Sequence, residues 1–450
     1  MTTLFGVLLS AGGLASAAWL IHERGAVATA FTGGRTAIAV IGFGVLANAA
    51  PVIAGSRSSA FIGLLVLTLV AWLLVTRRGR LAGPPEVWRQ VCLGLGGALL
   101  LWCVSVDVLT GDGVYGARIP AYIAAGLLLL ALWLLGAGAT VSLGAMAYTG
   151  LAVLSVLTIP TAGYEQAWRA CTVGHLEKCS LAGGLFRSFY DSENYIALIT
   201  SFTLVAAVCA LRGVERVAVL AFCLLVIVAT GSRTSYMALA AVVVWVFGAF
   251  LLERRRPYPR INVALCAALV VGAAATAIYL TWSASRSTLS NRGNIWIHVR
   301  EYISGAEGIG VGVSKWYYLR DVGDAPHHFF HSGYVLAIFS GGFVALTLWG
   351  LLLVTLLRAP VIDDRAFSAK APVALFVIYS FTEVVWNPLS VDGLTWIFAL
   401  MVLTTCVSGS TNPVGARGPA AAEHRPGPLA TVRRLAGRPS IGRAKTDARD

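Results

Sequence analysis

The chain has 450 residues, 57% of them hydrophobic and only 12% charged, with a formal net charge of +13. A mean hydropathy of +0.77, carried by repeated apolar runs of about 20 residues, excludes a water-soluble globular domain, because runs of that length match the ~30 Å hydrocarbon core of a bilayer. The positive charge is dispersed through short connections, which suits anionic lipid headgroups and argues against nucleic acid as a partner.

In chain order, apolar runs predict spans at about 4–21, 36–54, 59–76, 90–109, 119–137, 140–160, 194–211, 214–231, 234–252, 261–283, 331–357, 371–388 and 394–409. The fold class is therefore all-α and polytopic, with about 12–13 transmembrane helices. The first run lacks a basic leader and further spans follow at once, so it reads as a span, not a cleavable signal. Lys and Arg concentrate in 22–35, 76–89, 211–216, 253–260, 358–370 and the tail after 410, which alternate onto one side, while the rest of the chain is close to neutral. Positive loops are retained in the cytoplasm. Loops 161–193 and 284–330 then face the exterior of a plasma-membrane protein whose C-terminus is cytoplasmic. Residues 1–410 form a single membrane domain. Residues 411–450, rich in Pro, Gly, Ala and Arg and poor in large apolar residues, read as a basic, disordered tail.

Six of the eight cysteines lie in or beside apolar spans, where a thiol acts as a small hydrophobe. Cys171 and Cys179 instead share the exterior stretch "CTVGHLEKC" and are candidates for a disulfide.

An isolated charge in hydrocarbon costs about 2.5–3.5 kcal/mol or more, so ionisable residues at span ends point to function. They gather on the exterior side. "RSFYDSENY" brings Arg187, Asp191, Glu193 and Asn194 to one span entry, and "TGSRTSY" puts Arg233 at another. Loop 284–330 adds Arg286, Arg292, Arg300, Lys315 and Arg320, then His327, His328 and His331, and Glu383 and Asp392 flank "WNPLSVD". Arg233 reads either as a snorkelling side chain or, among Gly231, Ser232, Thr234 and Ser235, as a fork for a phosphate or diphosphate; the second reading is preferred. Arg292, Trp296, Val299 and Arg300 recur at helical spacing, predicting an amphipathic surface helix with Trp296 and Trp316 at the bilayer interface. Glycines 305, 308, 310 and 312 would end that helix and bring backbone N–H groups close to a bound group. Three readings of the histidines stay open: a zinc pair His328 and His331 supported by Asp321 or Asp324, an interfacial role, or a base for an attacking hydroxyl. "DDRAF" at 363–367 reads as a solvated inner loop and not as a magnesium site.

The order "GSRTSYMALAAVVV", "NRGNIWIHVREYISGAEGIGVGVSKW", "HSGYVLAIFSGGFVAL" resembles the O-antigen ligase and Wzy-type polymerase superfamily of bacterial envelope glycan enzymes. In that pattern a histidine, here His331, precedes an aromatic and a glycine, here Tyr334 and Gly342, and Asn194 matches an upstream span entry. The resemblance covers roughly residues 185–357. It implies metal-independent transfer of a glycan, without a cofactor, from a polyprenyl-diphosphate-linked donor to a glycan or glycolipid acceptor outside the plasma membrane. Arg233 and Arg292 would bind the diphosphate and His331 would position or deprotonate the acceptor hydroxyl. The family commonly carries Asn after the histidine and an acid nine positions beyond; Ser332 and Ser340 stand there in this chain. Glu193 is the reserve base and Glu383 a more distant one. Arg300, Arg187, His328 and Tyr334 complete the candidate substrate-binding set. A transporter or flippase of polyprenyl-linked or other anionic lipids is the alternative, resting on Asp107 and Glu383, and a scaffold with a degenerate site is a third.

Overall fold

Backbone polar groups in hydrocarbon must be satisfied within their own segment, and each of the thirteen apolar runs accordingly becomes a helix. The computed structural model describes residues 1–450 apart from 32–33, 77–86, 111–113, 136–140, 172–177, 254–258, 287, 289–291, 327–328, 360–369 and 406–450. In chain order its helices are α1 (Thr2–His22), α2 (Arg24–Ala30), α3 (Gly34–Ala54), α4 (Ser58–Thr76), α5 (Val87–Thr110), α6 (Ile119–Leu135), α7 (Leu143–Thr158) and α8 (Glu193–Ala210). There follow α9 (Gly213–Thr230), α10 (Arg233–Glu253), α11 (Pro259–Ser283), α12 (Arg292–Ile303), α13 (Val313–Asp321), α14 (Gly333–Arg358), α15 (Ala371–Thr382) and α16 (Thr395–Thr405). Among the described residues, seven stretches are long and apolar enough to cross a membrane, and one of them, Arg35–Thr76, holds both α3 and α4. The protein is an all-α, polytopic membrane protein. His327, His328, the 363–367 loop and the 411–450 tail lie outside the described residues.

Helices α7, α8 and α15 bury most of their residues. Outer helices keep exposed apolar faces, with Leu64 and Leu67 on α4 and Val243 and Val244 on α10. Such faces suit lipid and would be a liability in water. Loop 161–193 is tied together by a short hairpin, in which β1 (Trp168–Arg169) pairs antiparallel with β2 (Leu185–Phe186), and by a Cys171–Cys179 disulfide.

Three expectations need correction. First, Trp296 on α12 and Trp316 on α13 are not anchors exposed to a bilayer interface. Trp296 and Trp316 are fully buried, Trp296 edge-on to Phe381 and Trp316 against Phe330 and Phe339. Their apolar stripe is covered by protein, not lipid, because the remaining face is too polar for hydrocarbon.

Second, the glycines of 305–312 lie in a stretch packed onto α14, with Gly310 N donating to Ala306 O at 2.7 Å. They repair α14, which breaks at Gly341 and Gly342 (φ −154° and +62°). Val311 N donates to Phe339 O at 2.9 Å, Phe343 N to Glu307 O at 2.9 Å, and Trp102 Nε1 to Gly341 O at 2.8 Å. The two backbones approach so closely that a Cβ on Gly342 would fall 2.4 Å from Gly308 backbone atoms.

Third, α15 stops at Thr382, six residues before the predicted end of its span at 388. The following stretch runs into Pro388, whose ring disfavours helix at Asn387. Trp386 there stacks between Trp349 and Phe398, with centroids 5.6 and 3.7 Å away.

Candidate active site

The early end of α15 leaves polar groups that α8, α12 and the start of α14 converge to satisfy. Glu383, its C-cap, is the centre. Arg292, the first residue of α12, donates through Nη2 to Glu383 Oε1 at 2.5 Å and through Nη1 to the Thr382 carbonyl. His331 Nδ1 lies 3.6 Å from Glu383 Oε2, an ion-pair distance. Asn194 on the first turn of α8 donates from Nδ2 to Glu383 Oε1 at 3.1 Å. Its Oδ1 accepts from Ser232 Oγ at 2.9 Å and from Lys178 Nζ at 3.3 Å.

Local sequence explains why these groups meet. Ser192 caps α8, its hydroxyl accepting from Asn194 N at 3.3 Å. Gly231 ends α9 in the left-handed region (φ +59°), and its missing Cβ lets the α9–α10 turn press against Leu185. Ser332 caps α14, accepting from Val335 N at 3.3 Å and donating to Ser380 O at 3.2 Å, which fastens α14 to α15. His331, just ahead of that cap, is itself left-handed (φ +49°), a rare state for a residue with a side chain.

The side chains of Arg292 and Glu383 are 13% and 12% exposed. Burial works against the charge on Glu383, but Arg292 and His331 beside it outweigh this and hold its carboxyl below the ordinary glutamate value. Glu193 anchors a second pair of cations: Lys178 donates to Oε1, and Arg169 Nη1 stands 3.8 Å from Oε2. Arg233 opens α10 between buried Ser232 and Thr234, its own side chain exposed. Thr234 Oγ1 accepts from Arg292 Nη2 at 3.5 Å, so the two arginines flank one threonine.

The structure thus brings together Glu193, Asn194, Arg292 and His331, with Arg233 at the edge. It does not bring in Arg300, whose Nη1 donates to Trp282 O at 2.6 Å at the end of α11. Tyr334 is buried away from the opening, its hydroxyl donating to Val377 O at 3.1 Å between α14 and α15. Arg187 lines a separate cavity, and His328 lies outside the described residues. Asp107, an acid inside a predicted span, holds the start of α13: it accepts from Ser314 N at 2.8 Å, from Ser314 Oγ at 2.5 Å and from the Tyr122 hydroxyl.

Sequence reasoning undervalued Glu383, which it treated as distant, and missed Lys178 and Arg169 as members of the network. The one available signal for Lys178 was its place beside Cys179.

A bundle of lipid-facing helices enclosing an arginine–carboxylate–histidine cluster at one end defines a multi-pass membrane protein with a chemically equipped pole. Residues 218–350, which hold Arg233, Arg292 and His331, match the family model described as O-Antigen ligase. The match supports membership of the O-antigen ligase superfamily, and that family implies glycan transfer as a ligase or polymerase. A comparison with curated proteins gave no match.

Proposed function

We propose that the protein transfers a glycan from a polyprenyl-diphosphate carrier to a hydroxyl of an acceptor glycan or glycolipid at the exterior face of the plasma membrane, without a metal. The observation that carries this reading is Glu383 bridging Arg292 and His331. A carboxylate at Nδ1 orients the imidazole and leaves Nε2 to accept a proton. The acceptor oxygen then bonds to the anomeric carbon, its proton passes to His331 Nε2, and the carbon–oxygen bond to the carrier breaks. The electron pair leaves with the diphosphate, whose charge Arg233 and Arg292 meet in place of a metal ion.

Of the two candidate bases, His331 suits the task better than Glu193. Glu193 is 3% exposed and held by Lys178 and Arg169, whereas the His331 side chain is 29% exposed. The exterior assignment is supported by the disulfide, which belongs to an oxidising compartment, and by the basic loops at the opposite helix ends.

The test is a reconstitution in detergent, with purified protein, carrier-linked glycan and acceptor. Product forms without any sealed membrane under this reading, whereas obligatory transport gives none; absence of product with every acceptor tried overturns transfer. Arg233→Ala and His331→Ala abolish product at unchanged protein level. A scaffold would leave the glycan output of such cells intact.

A further inference from the structure

Among the described residues, two that are not glycine hold a left-handed backbone, His331 and Ser188, with φ of +49° and +53°. Each such residue costs on the order of 1–3 kcal/mol and persists where its surroundings force it, commonly at functional sites. His331 belongs to the cluster described above; Ser188 has no part in it.

Ser188 is fixed from behind. Its hydroxyl donates to Leu157 O at 2.8 Å, in the last turn of α7, and accepts from Thr161 Oγ1 at 3.1 Å. The turn it makes forms one wall of a cavity of about 280 Å³, lined among others by Tyr164, Gln166, Arg187, Tyr190 and Asp191. The floor is rigid. The Tyr190 hydroxyl donates to Asn48 Oδ1, Asn48 Nδ2 donates to Gly393 O at 2.7 Å, and the Tyr190 ring packs at a tilt against Tyr195 with centroids 4.3 Å apart. Arg187 is held through Nε and Nη2, which donate to Gln166 O at 3.3 and 3.2 Å, while Nη1 has no hydrogen-bond partner among the described residues. The rim is open, with Tyr164 64% exposed.

We propose that this cavity is a saccharide subsite, holding one or two rings of the glycan being joined; the proposal rests on the transfer reading above. A purely anionic ligand would face the Asp191 carboxylate, and an apolar one would strand the Arg187, Gln166 and hydroxyl groups. A sugar offers an apolar C–H face to an exposed tyrosine and hydroxyls that both donate and accept, which this mixture of groups satisfies. The volume falls just below the ~300–1,000 Å³ of sites for drug-sized ligands, which sets the limit at one or two rings. The chain passes from Asp191 directly into Glu193 and Asn194, so a glycan seated here has its neighbouring sugar close to the cluster.

The probe is the set of mono- to tetrasaccharides released by mild acid from the envelope glycan of the producing strain, titrated by saturation-transfer NMR and calorimetry against full-length protein in detergent. Tyr164→Ala and Arg187→Ala bind at least about tenfold more weakly, and Tyr164→Phe, which keeps the ring face, restores most of the affinity. In the transfer assay the first two variants raise KM about tenfold with little change in kcat, for the acceptor if the acceptor's sugar sits here and for the donor if the donor's does. Unaltered saccharide binding and unaltered KM in both, with normal thermal unfolding, overturn the subsite while leaving transfer standing. Saccharide binding that depends on Tyr164 and Arg187 without any transfer keeps the subsite and removes the transfer reading.

Discussion

Helical hydrogen bonding fails at the break in α14 at Gly341–Gly342 and at the end of α15 at Thr382–Glu383, and the two are repaired by different means. In α14 the repair is mainly backbone to backbone, Val311 N donating to Phe339 O and Phe343 N to Glu307 O, with the neutral Trp102 indole on Gly341 O, so no side-chain charge is involved. At α15 the repair is made by side chains, with Arg292 on the Thr382 carbonyl and Ser332 on Ser380. A backbone repair adds rigidity and nothing else. A side-chain repair places a guanidinium, a carboxylate and an imidazole around one point, and these can exchange partners when an anionic substrate arrives.

If that division holds, damage at α14 reads out as folding and damage at α15 as activity. The largest effect is expected for Gly342→Ala, where a Cβ meets the Gly308 backbone at 2.4 Å and φ is positive. Overpacking and backbone strain together cost at least about 1–3 kcal/mol, so monodisperse protein should be lost in size-exclusion profiles. A well-folded Gly342→Ala variant would show the loop to be dispensable.

Next, Glu383→Ala should lower kcat/KM by at least about 100-fold and destabilise by about 3 kcal/mol, since Arg292 is left buried without its partner. His331→Ala should match the activity loss without the destabilisation, and thermal unfolding of both variants separates the two effects. Arg292→Lys keeps the charge but loses the fork that spans Thr382 and Glu383; about tenfold lower kcat/KM with a small stability change is expected.

Trp102→Phe removes one hydrogen bond to the α14 break and should cost about 1 kcal/mol with activity retained. The mildest effect concerns pH. Because the Glu383 carboxyl is lowered from 4.5, its stabilising charge is fully present above that value and is lost only as pH falls through the lowered one. Thermal stability should therefore persist through mildly acidic pH, and Glu383→Gln should flatten the decline below it.

Much of the fold was legible because run length in an apolar sequence reports bilayer thickness directly. Helix ends were less so: nothing in the apolar count of 371–388 marks Thr382 as the last helical residue. Arg233, Arg292, Asn194 and His331 were singled out from their places at exterior span ends and from motif order. Glu383 was undervalued because its partners come from α8, α12 and the start of α14, and no periodicity announces which loop folds over it. Lys178 and Arg169 depend on a hairpin with two residues per strand, too short to leave a pattern. Trp296 and Trp316 were misplaced for a different reason: helical spacing of apolar residues is the same whether lipid or protein covers them.

The bond from Glu307 O to Phe343 N and the close approach of Gly308 to Gly342 also govern where this chain tolerates added length. An extra residue between 306 and 312 would shift every donor past its acceptor inside the bundle. One at Gly323, exposed and with open space around its Cα, would only enlarge a surface bend. Of these two connections, insertions and tags therefore belong in the one after α13.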